Sequence, residues 1–256
     1  MRITLDIKKS VDQNASEYFE KAKKAKKKLA GAQKALEKTK IKLSEEKEKK
    51  IVVKKTLTRP TKKEWFEKFH WCYSSDGFLM IGGRDATTNE IVIKKYTEKN
   101  DLVFHTDMAG SPFVVIKNPD NKKIPDTTKQ EAAELTAAYS RAWKNGLGTL
   151  DVFYVTPEQV SKKAKAGEFL PKGAFMIYGD TNYLQPPVGL AIGVYNGKVM
   201  GGPVSAIKKH CKTFVEVIPG EEKASSIAKL IRKSLDASLD DIIRVLPGGG
   251  STIKKR

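Results

Sequence analysis

Ten positions, Val11, Ala15, Tyr18, Ala22, Ala25, Leu29, Ala32, Leu36, Thr39 and Leu43, follow one another at alternating spacings of 4 and 3 without a break. Such steps average to the 3.5-residue repeat that keeps one seam of a helix turned toward a partner. The positions between are mostly Lys, Glu and Gln, so the other faces suit water. The pattern predicts a coiled-coil arm over residues 1–58. The seam alanines let a second helix approach closely. Gly31 costs up to about 1 kcal/mol against Ala, which a packed helix of this length tolerates. No later stretch has an equally long helical period. The arm therefore predicts either self-association or pairing with a helix of a longer parent protein.

The arm also holds most of the charge. The chain has 48 Lys and Arg against 30 Asp and Glu, a net +18, and residues 1–63 alone contribute +13. An excess of this size goes beyond what solubility requires and predicts a polyanionic partner. No run approaches the roughly 18 apolar residues of a membrane helix and the N-terminus is polar, so the expectation is a soluble, cytoplasmic protein with no membrane partner. Two cysteines, Cys72 and Cys211, form no CxxC pair and give no disulfide framework. The pairs His70/Cys72 and His210/Cys211 lack ordinary zinc spacing, so neither a metal nor a cofactor is expected.

Pro60 interrupts the helical pattern, and Trp65, Phe66, Phe69 and Trp71 then form an aromatic cluster. Such a cluster serves either as the lid of a core or as a base-stacking platform, and the first use is the commoner. A globular part begins here, and 39% hydrophobic residues suffice for a real core. β-Type runs at 78–81, 90–95, 102–105 and 113–117, separated by "SSDG" and "DATTNE", predict an antiparallel meander. Helical period from Ala132 to Trp143, capped by Asp126 or Thr127 and stopped at Gly146, predicts one covering helix. Runs at 151–155 and 174–178 restore strand character, and Asn196-Gly197 between two apolar runs signals a hairpin. A strand at "TFVEVIPG", helices at "EEKASSIAKLIRKSL" and "SLDDIIRVL", and a frayed tail at "PGGGSTIKKR" complete the reading. Strands and helices do not alternate regularly, so the fold class is α+β: a long N-terminal coiled-coil helix, then a mixed, mainly antiparallel sheet with covering helices. The boundaries fall at 59–187 for the sheet domain and 188–256 for a C-terminal extension of the same globular region.

"DLVFHTDMAGSPFVVIK", residues 101–117, concentrates the chemistry. Asp101, His105 and Asp107 would give an acid–base set for a hydrolase or nuclease. The strand must run unbroken to align them, however, and Ser111 lacks the GxSxG elbow of a nucleophile. No GxxxxGK phosphate loop and no HExxH zinc site occurs. A binding reading fits better. A turn at Gly110 and Ser111 lets backbone N–H groups approach a phosphate, while His105 and Asp107 flank it. Arg84, Lys94, Lys95, Lys117, Lys162, Lys163 and Lys172 would line the same side and, with the arm, give the electrostatic footprint of an RNA binder.

At these residues the chain resembles the NFACT family of ribosome-associated quality control, which includes nuclear export mediator factor and archaeal and bacterial relatives. "WFEKFHW", "SSDGFLMIGGRDATTNEIVIKKY", "DLVFHTDMAGSPFVVIKNP", "VSKKAKAGEFLPKGAFMIYG" and "NYL" are similar, in order, to the family's RNA-binding module. "LDIKKSVDQNASEYFEKAKK" is similar to the start of the second helix of its coiled-coil arm. The likeness covers residues 3 to 185; the rest resembles an archaeal-type extension. It implies a fragment or truncated relative, whose arm pairs with a helix that precedes this segment. It also implies a factor that binds tRNA and the large ribosomal subunit blocked by a stalled peptidyl-tRNA, contacting rRNA and the stalk base. Such a factor supports template-free C-terminal tailing, with bond formation left to the ribosome. The family residues most tied to tail synthesis lie in an amino-terminal domain that has no counterpart here.

Overall fold

The computed structural model describes residues 4–50, 63–163 and 170–254, with side chains to residue 40 in the first stretch. The chain divides into two compact units, residues 1–60 and 61–256. The domain boundary expected at 58/59, Pro60 and the Leu43 side chain lie outside the described residues.

In the first unit, helix α1 spans Val11–Lys50. Its start is written in "SVDQ": the Ser10 hydroxyl accepts from the Gln13 N–H (3.2 Å), and the Gln13 side-chain oxygen accepts from the Ser10 N–H (3.0 Å). This reciprocal cap satisfies donors that a helix otherwise leaves open. Asn14, buried, accepts from Asp6 N–H (2.8 Å) and donates to the carbonyls of Asp6, Lys9 and Ser10. Tyr18 closes on Thr4, and Lys9 pairs with Glu17, so residues 4–10 fold back onto the first turns of the helix. The seam residues Val11, Leu29 and Leu36 are 82%, 59% and 58% exposed. An open apolar stripe on a lysine-rich helix is what a coiled-coil arm presents before it pairs.

The second unit is built on two antiparallel sheets. A 3₁₀ turn, Trp65–Lys68, leads into β1 (His70–Tyr73), which pairs with β2 (Leu79–Gly82). Helix α2 (Ala86–Tyr96) follows, then β3 (Leu102–His105), β4 (Val114–Ile116), α3 (Asp126–Ala138), α4 (Arg141–Lys144) and β5 (Val152–Val155). A small ladder joins β6 (Val160–Ser161) to β7 (Met176–Ile177), and β8 (Asn182–Leu184) edges the first sheet, whose order is β1-β2-β4-β3-β5-β8. The second sheet comprises β9 (Leu190–Tyr195), β10 (Lys198–Gly202), β11 (Phe214–Glu222) and β12 (Ser251–Ile253) in the order β10-β9-β11-β12, with α5 (Val204–His210), α6 (Ala224–Ser234) and α7 (Leu239–Val245) around it. The β9–β10 turn has Asn196 and Gly197 at φ 49° and 77°, the left-handed pair that a two-residue hairpin requires.

One continuous buried cluster runs from Phe66 through Trp143 to Leu246. Polar ties cross from sheet to sheet: Tyr139 O–H donates to the Val245 carbonyl (2.7 Å), and Trp143 Nε1–H to that of Gly250 (2.9 Å). Buried Glu131 accepts from Ser75 N–H (2.8 Å) and the Ser205 hydroxyl (2.6 Å).

The α+β architecture agrees with the sequence reading, and four local expectations are corrected. Residues 90–95 are not a strand but lie in α2: Asp85 caps Thr88 N–H (2.8 Å), and Glu90 pairs with Lys94 one turn on (2.6 Å). Of the β-branched run Ile91-Val92-Ile93, Val92 is buried and its two neighbours pack partly against the core, tertiary burial overriding propensity. The helix expected over 126–146 breaks at Tyr139, because Ser140 turns its hydroxyl to the Ala142 N–H (3.1 Å) and starts α4. Residues 251–253 are not frayed; they form β12 against β11. The aromatic segment, expected as a core lid or a stacking platform, holds a strand of its own, β1.

Candidate nucleic-acid interface

The β3–β4 loop is held from two sides. Alternation along β3 places Val103 and His105 on the sheet face opposite Phe104. Phe104 stacks on Tyr154 (5.3 Å), which lies beneath Lys129 of α3, so α3 covers that face and His105 points to the other. There the His105 ring lies parallel to Phe113 at 3.8 Å and edge-on to Phe153 at 6.1 Å. Its Nδ1 sits 2.9 Å from the Pro112 carbonyl, an arrangement that fixes the Nδ1–H tautomer. Burial lowers the imidazole pKa, only partly offset by that bond and by Asp107. His105 is thus a neutral ring that braces the loop from within.

Asn89 of α2 holds the other flank, donating to the Ser111 carbonyl (3.3 Å) and accepting from Phe113 N–H (3.0 Å). Ser111 is buried, and its hydroxyl pairs with that of Thr106. What remains open is the tip. Gly110 is exposed with φ +89°, a conformation that side chains rarely adopt. Among the described residues no acceptor takes the N–H of Ala109 or Gly110. A Cβ on Gly110 would lie 3.2 Å from Arg141 Nε, so the guanidinium of Arg141 rests directly against the turn. Arg141 is exposed and forms no ion pair or side-chain hydrogen bond among the described residues. Two backbone donors with no acceptor among the described residues thus lie close to an exposed guanidinium, groups of the kind that suit an anion. Tyr183, 54% exposed on the edge strand β8, donates to the Asp107 carboxylate (3.1 Å) and presents an aromatic ring beside it.

The sequence of this region finds its family directly. Residues 68–179 match the profile described as "NFACT protein RNA binding domain". They form an NFACT RNA-binding domain. The chain is 42% identical over 202 residues to the archaeal Rqc2 homolog of Methanocaldococcus jannaschii, covering 76% of this chain and 30% of that protein. It is 35% identical over 229 residues to the Drosophila melanogaster ribosome quality control complex subunit NEMF homolog (88% and 22%). It is 39% identical over 177 residues to the human ribosome quality control complex subunit NEMF (68% and 16%). The chain thus spans less than a third of the length of each of these relatives.

Within the NFACT domain the expected site residues fall into three groups. His105, Asp107, Gly110 and Ser111 do come together, with Ser111 turned inward. Lys94 and Lys162 meet at Glu90, which also accepts from Gly173 N–H (3.1 Å); Lys94, Gly173 and Lys162 together hold the Glu90 carboxyl down at about 2. Lys162 also donates to the carbonyls of Pro171 and Ala174 (2.9 Å each), pinning the segment that carries Lys172 near Asp85. Lys95, Lys163 and Lys172 are exposed. Arg84 and Lys117 stand apart from the turn. Arg84 donates to the carbonyls of Arg244 (2.6 Å) and Phe69 (2.9 Å). The register Leu102↔Ile116 and Phe104↔Val114 puts Lys117 at the opposite end of the hairpin from Gly110.

The acid–base set is not assembled. Asp101 is buried and its oxygens accept from Lys117, Glu98 N–H (2.8 Å) and Asn118 N–H (2.8 Å), while Asp107 is exposed and bonded to Tyr183. No hydrogen bond joins either carboxylate to His105. Among the described residues no three His, Cys, Asp or Glu side chains converge as metal ligands, and no helix is long and apolar enough to cross a membrane. Arg141 and Asn89 were missed in the sequence. The signal for Asn89 was there, since Asp85 followed three residues later by Thr88 reads as a helix start that puts Asn89 on the inner face.

Proposed function

We propose that this chain is the RNA-gripping part of a ribosome-associated quality-control factor. In this reading the NFACT domain holds tRNA, and with α1 it engages the large ribosomal subunit, rRNA and stalk base included, when a peptidyl-tRNA is stalled there. Binding of this kind supports template-free C-terminal tailing and rescue in the cytoplasm, and the ribosome makes the bonds. Arm pairing through the open seam, with a second copy or with another helix of a longer protein, completes the proposal.

The observation that carries it is the turn at Gly110. Its N–H groups and Arg141, without partners among the described residues, suit a phosphate oxygen, the exposed Lys95, Lys163 and Lys172 add potential within the same domain, and Tyr183 offers a stacking face. The names of the relatives, all ribosome quality control subunits or Rqc2 homologs, point the same way. The test is titration of the chain with tRNA and with purified large subunits across ionic strength. If six or more phosphates are contacted, affinity falls about a thousandfold between 50 and 200 mM salt. Salt-insensitive binding, or none at low salt, refutes the reading. Cleavage of tRNA abolished by His105→Ala would instead restore the hydrolase alternative.

A further inference from the structure

A cleft of about 430 Å³ opens at the far side of the first sheet, between the 3₁₀ turn, the β1–β2 turn and the segment after β4. Trp65, Tyr73 and Phe78 give it aromatic walls, and Asp76, Glu98 and Asp120 place carboxylates around it. Trp65 is 43% exposed although one of its faces is covered by Tyr96, parallel at 4.7 Å. Tyr96 is not part of the cleft wall, whereas Trp65 is. The Lys68 ammonium donates to the Tyr96 hydroxyl (2.6 Å) and lies 4.4 Å from that ring's centre.

The charges decide what the cleft accepts. Lys117 is shared between Asp101 and Glu98, and Lys122 pairs with Asp120 at 2.8 Å. Asp76 is held ionised by hydrogen bonds from Thr127 and Thr128, both to one oxygen. Among the cleft-lining residues the carboxylates of Asp76, Glu98 and Asp120 face the ammonium groups of Lys117 and Lys122, a local net charge of −1 on a chain of +18. A phosphodiester would meet repulsion here. A planar cation would stack on the indole and pair with a carboxylate at its edge.

We infer that this cleft is a second binding site, separate from the RNA interface and independent of that reading, which takes an arginine side chain from a basic segment of a protein partner. The guanidinium lies on the free face of Trp65, with Asp76 or Glu98 at its edge. The test uses the full chain and the indole N–H resonances of Trp65, Trp71 and Trp143, assigned with Trp65→Phe. Titration with acetyl-Gly-Arg-Gly-amide is expected to move the Trp65 signal saturably and leave the other two in place. Asp76→Asn and Glu98→Gln each weaken that binding by about fivefold, the size of one charge-assisted contact. Equal shifts from sodium chloride, a preference for adenosine monophosphate over the peptide, or unchanged affinity in both variants overturns the proposal. Because both substitutions are isosteric and Glu98 is exposed, loss of folding in one leaves the other to decide.

Discussion

At one end of the β3–β4 hairpin Lys117 is held between Asp101 and Glu98 and donates to the Tyr96 carbonyl (2.9 Å), whereas at the other Arg141 lies over Gly110 with no carboxylate partner among the described residues. The two cations stand at opposite ends of one structural unit, yet their uses differ. A nearly buried ammonium with paired carboxylates has its field spent internally and contributes to holding the chain together. An exposed guanidinium beside free backbone donors keeps its field for a ligand. Net charge alone, however basic, says nothing of which cations are available. Pairing decides.

The largest effect separates these roles by stability. Asp101 has a side-chain exposure of 0% and Lys117 of 11%, so Asp101→Ala leaves a nearly buried ammonium short of its main partner. A loss of about 3–5 kcal/mol in urea denaturation is expected. Adding Lys117→Met should recover much of it, since the penalty comes from the orphaned charge. If Asp101→Ala unfolds no more easily than the parent chain, the pair is a surface contact and the contrast between the ends collapses.

Arg141→Ala should do the reverse. Unfolding is expected to stay within about 0.5 kcal/mol, as for most exposed substitutions. Binding of tRNA should weaken about tenfold at low salt, and the slope of log affinity against log salt should fall by about 1, the signature of one lost phosphate contact. Lys117→Met, paired with Asp101→Asn to keep charge balanced, should leave that slope alone. Equal slopes for the two substitutions would mean that both cations reach RNA.

This difference in pairing could not be read from the sequence, and the reason is physical. Periodicity reports on local neighbours, and it located α1, the hairpin at Asn196, β3, β4 and the helix through Ala132. The charge sum reported a polyanionic partner. Which cation meets which carboxylate depends on register: Lys117 finds Asp101 only because β4 runs back along β3. Arg141 reaches Gly110 only because the helix breaks at Ser140. Residues 90–95 misled for a related reason, their β-branched side chains being chosen for packing against the sheet. The resemblance to the family supplied the domain but not the distinction between structural and available cations within it.

Gly110→Ala probes the backbone half of the turn. At φ +89° an L-residue is strained by about 1 kcal/mol, and the added Cβ would crowd Arg141 Nε at 3.2 Å. Binding should weaken about threefold through displacement of the guanidinium. In an Arg141→Ala background the same change should cost less affinity, because there is nothing left to displace. A double-mutant cycle with additive effects would show that turn and arginine act separately.

The smallest effect concerns His105, which shares the Gly110 end but contributes no charge there. In the unfolded chain an imidazole titrates near 6.5, and in the fold burial pulls the His105 value below that. As pH falls between the two values the unfolded chain takes up a proton that the folded chain refuses, so stability is whole above about 6.5 and declines below it. His70, whose pKa burial and Arg84 hold well below the usual value, pulls in the same direction. Glu134 opposes both, because burial pushes its carboxyl up to about 7 and folding therefore favours its protonated form as pH falls. Comparing the parent chain with His105→Phe at each pH cancels those two contributions. Phenylalanine keeps the stack on Phe113 and cannot be protonated, so the difference should be flat above pH 7 and shift toward the variant as pH falls below about 6.5. A difference that shifts toward the parent instead would mean that His105 is charged in the fold. The Gly110 end would then hold a second free cation, and the salt slope for tRNA should steepen on acidification by an amount that His105→Phe removes.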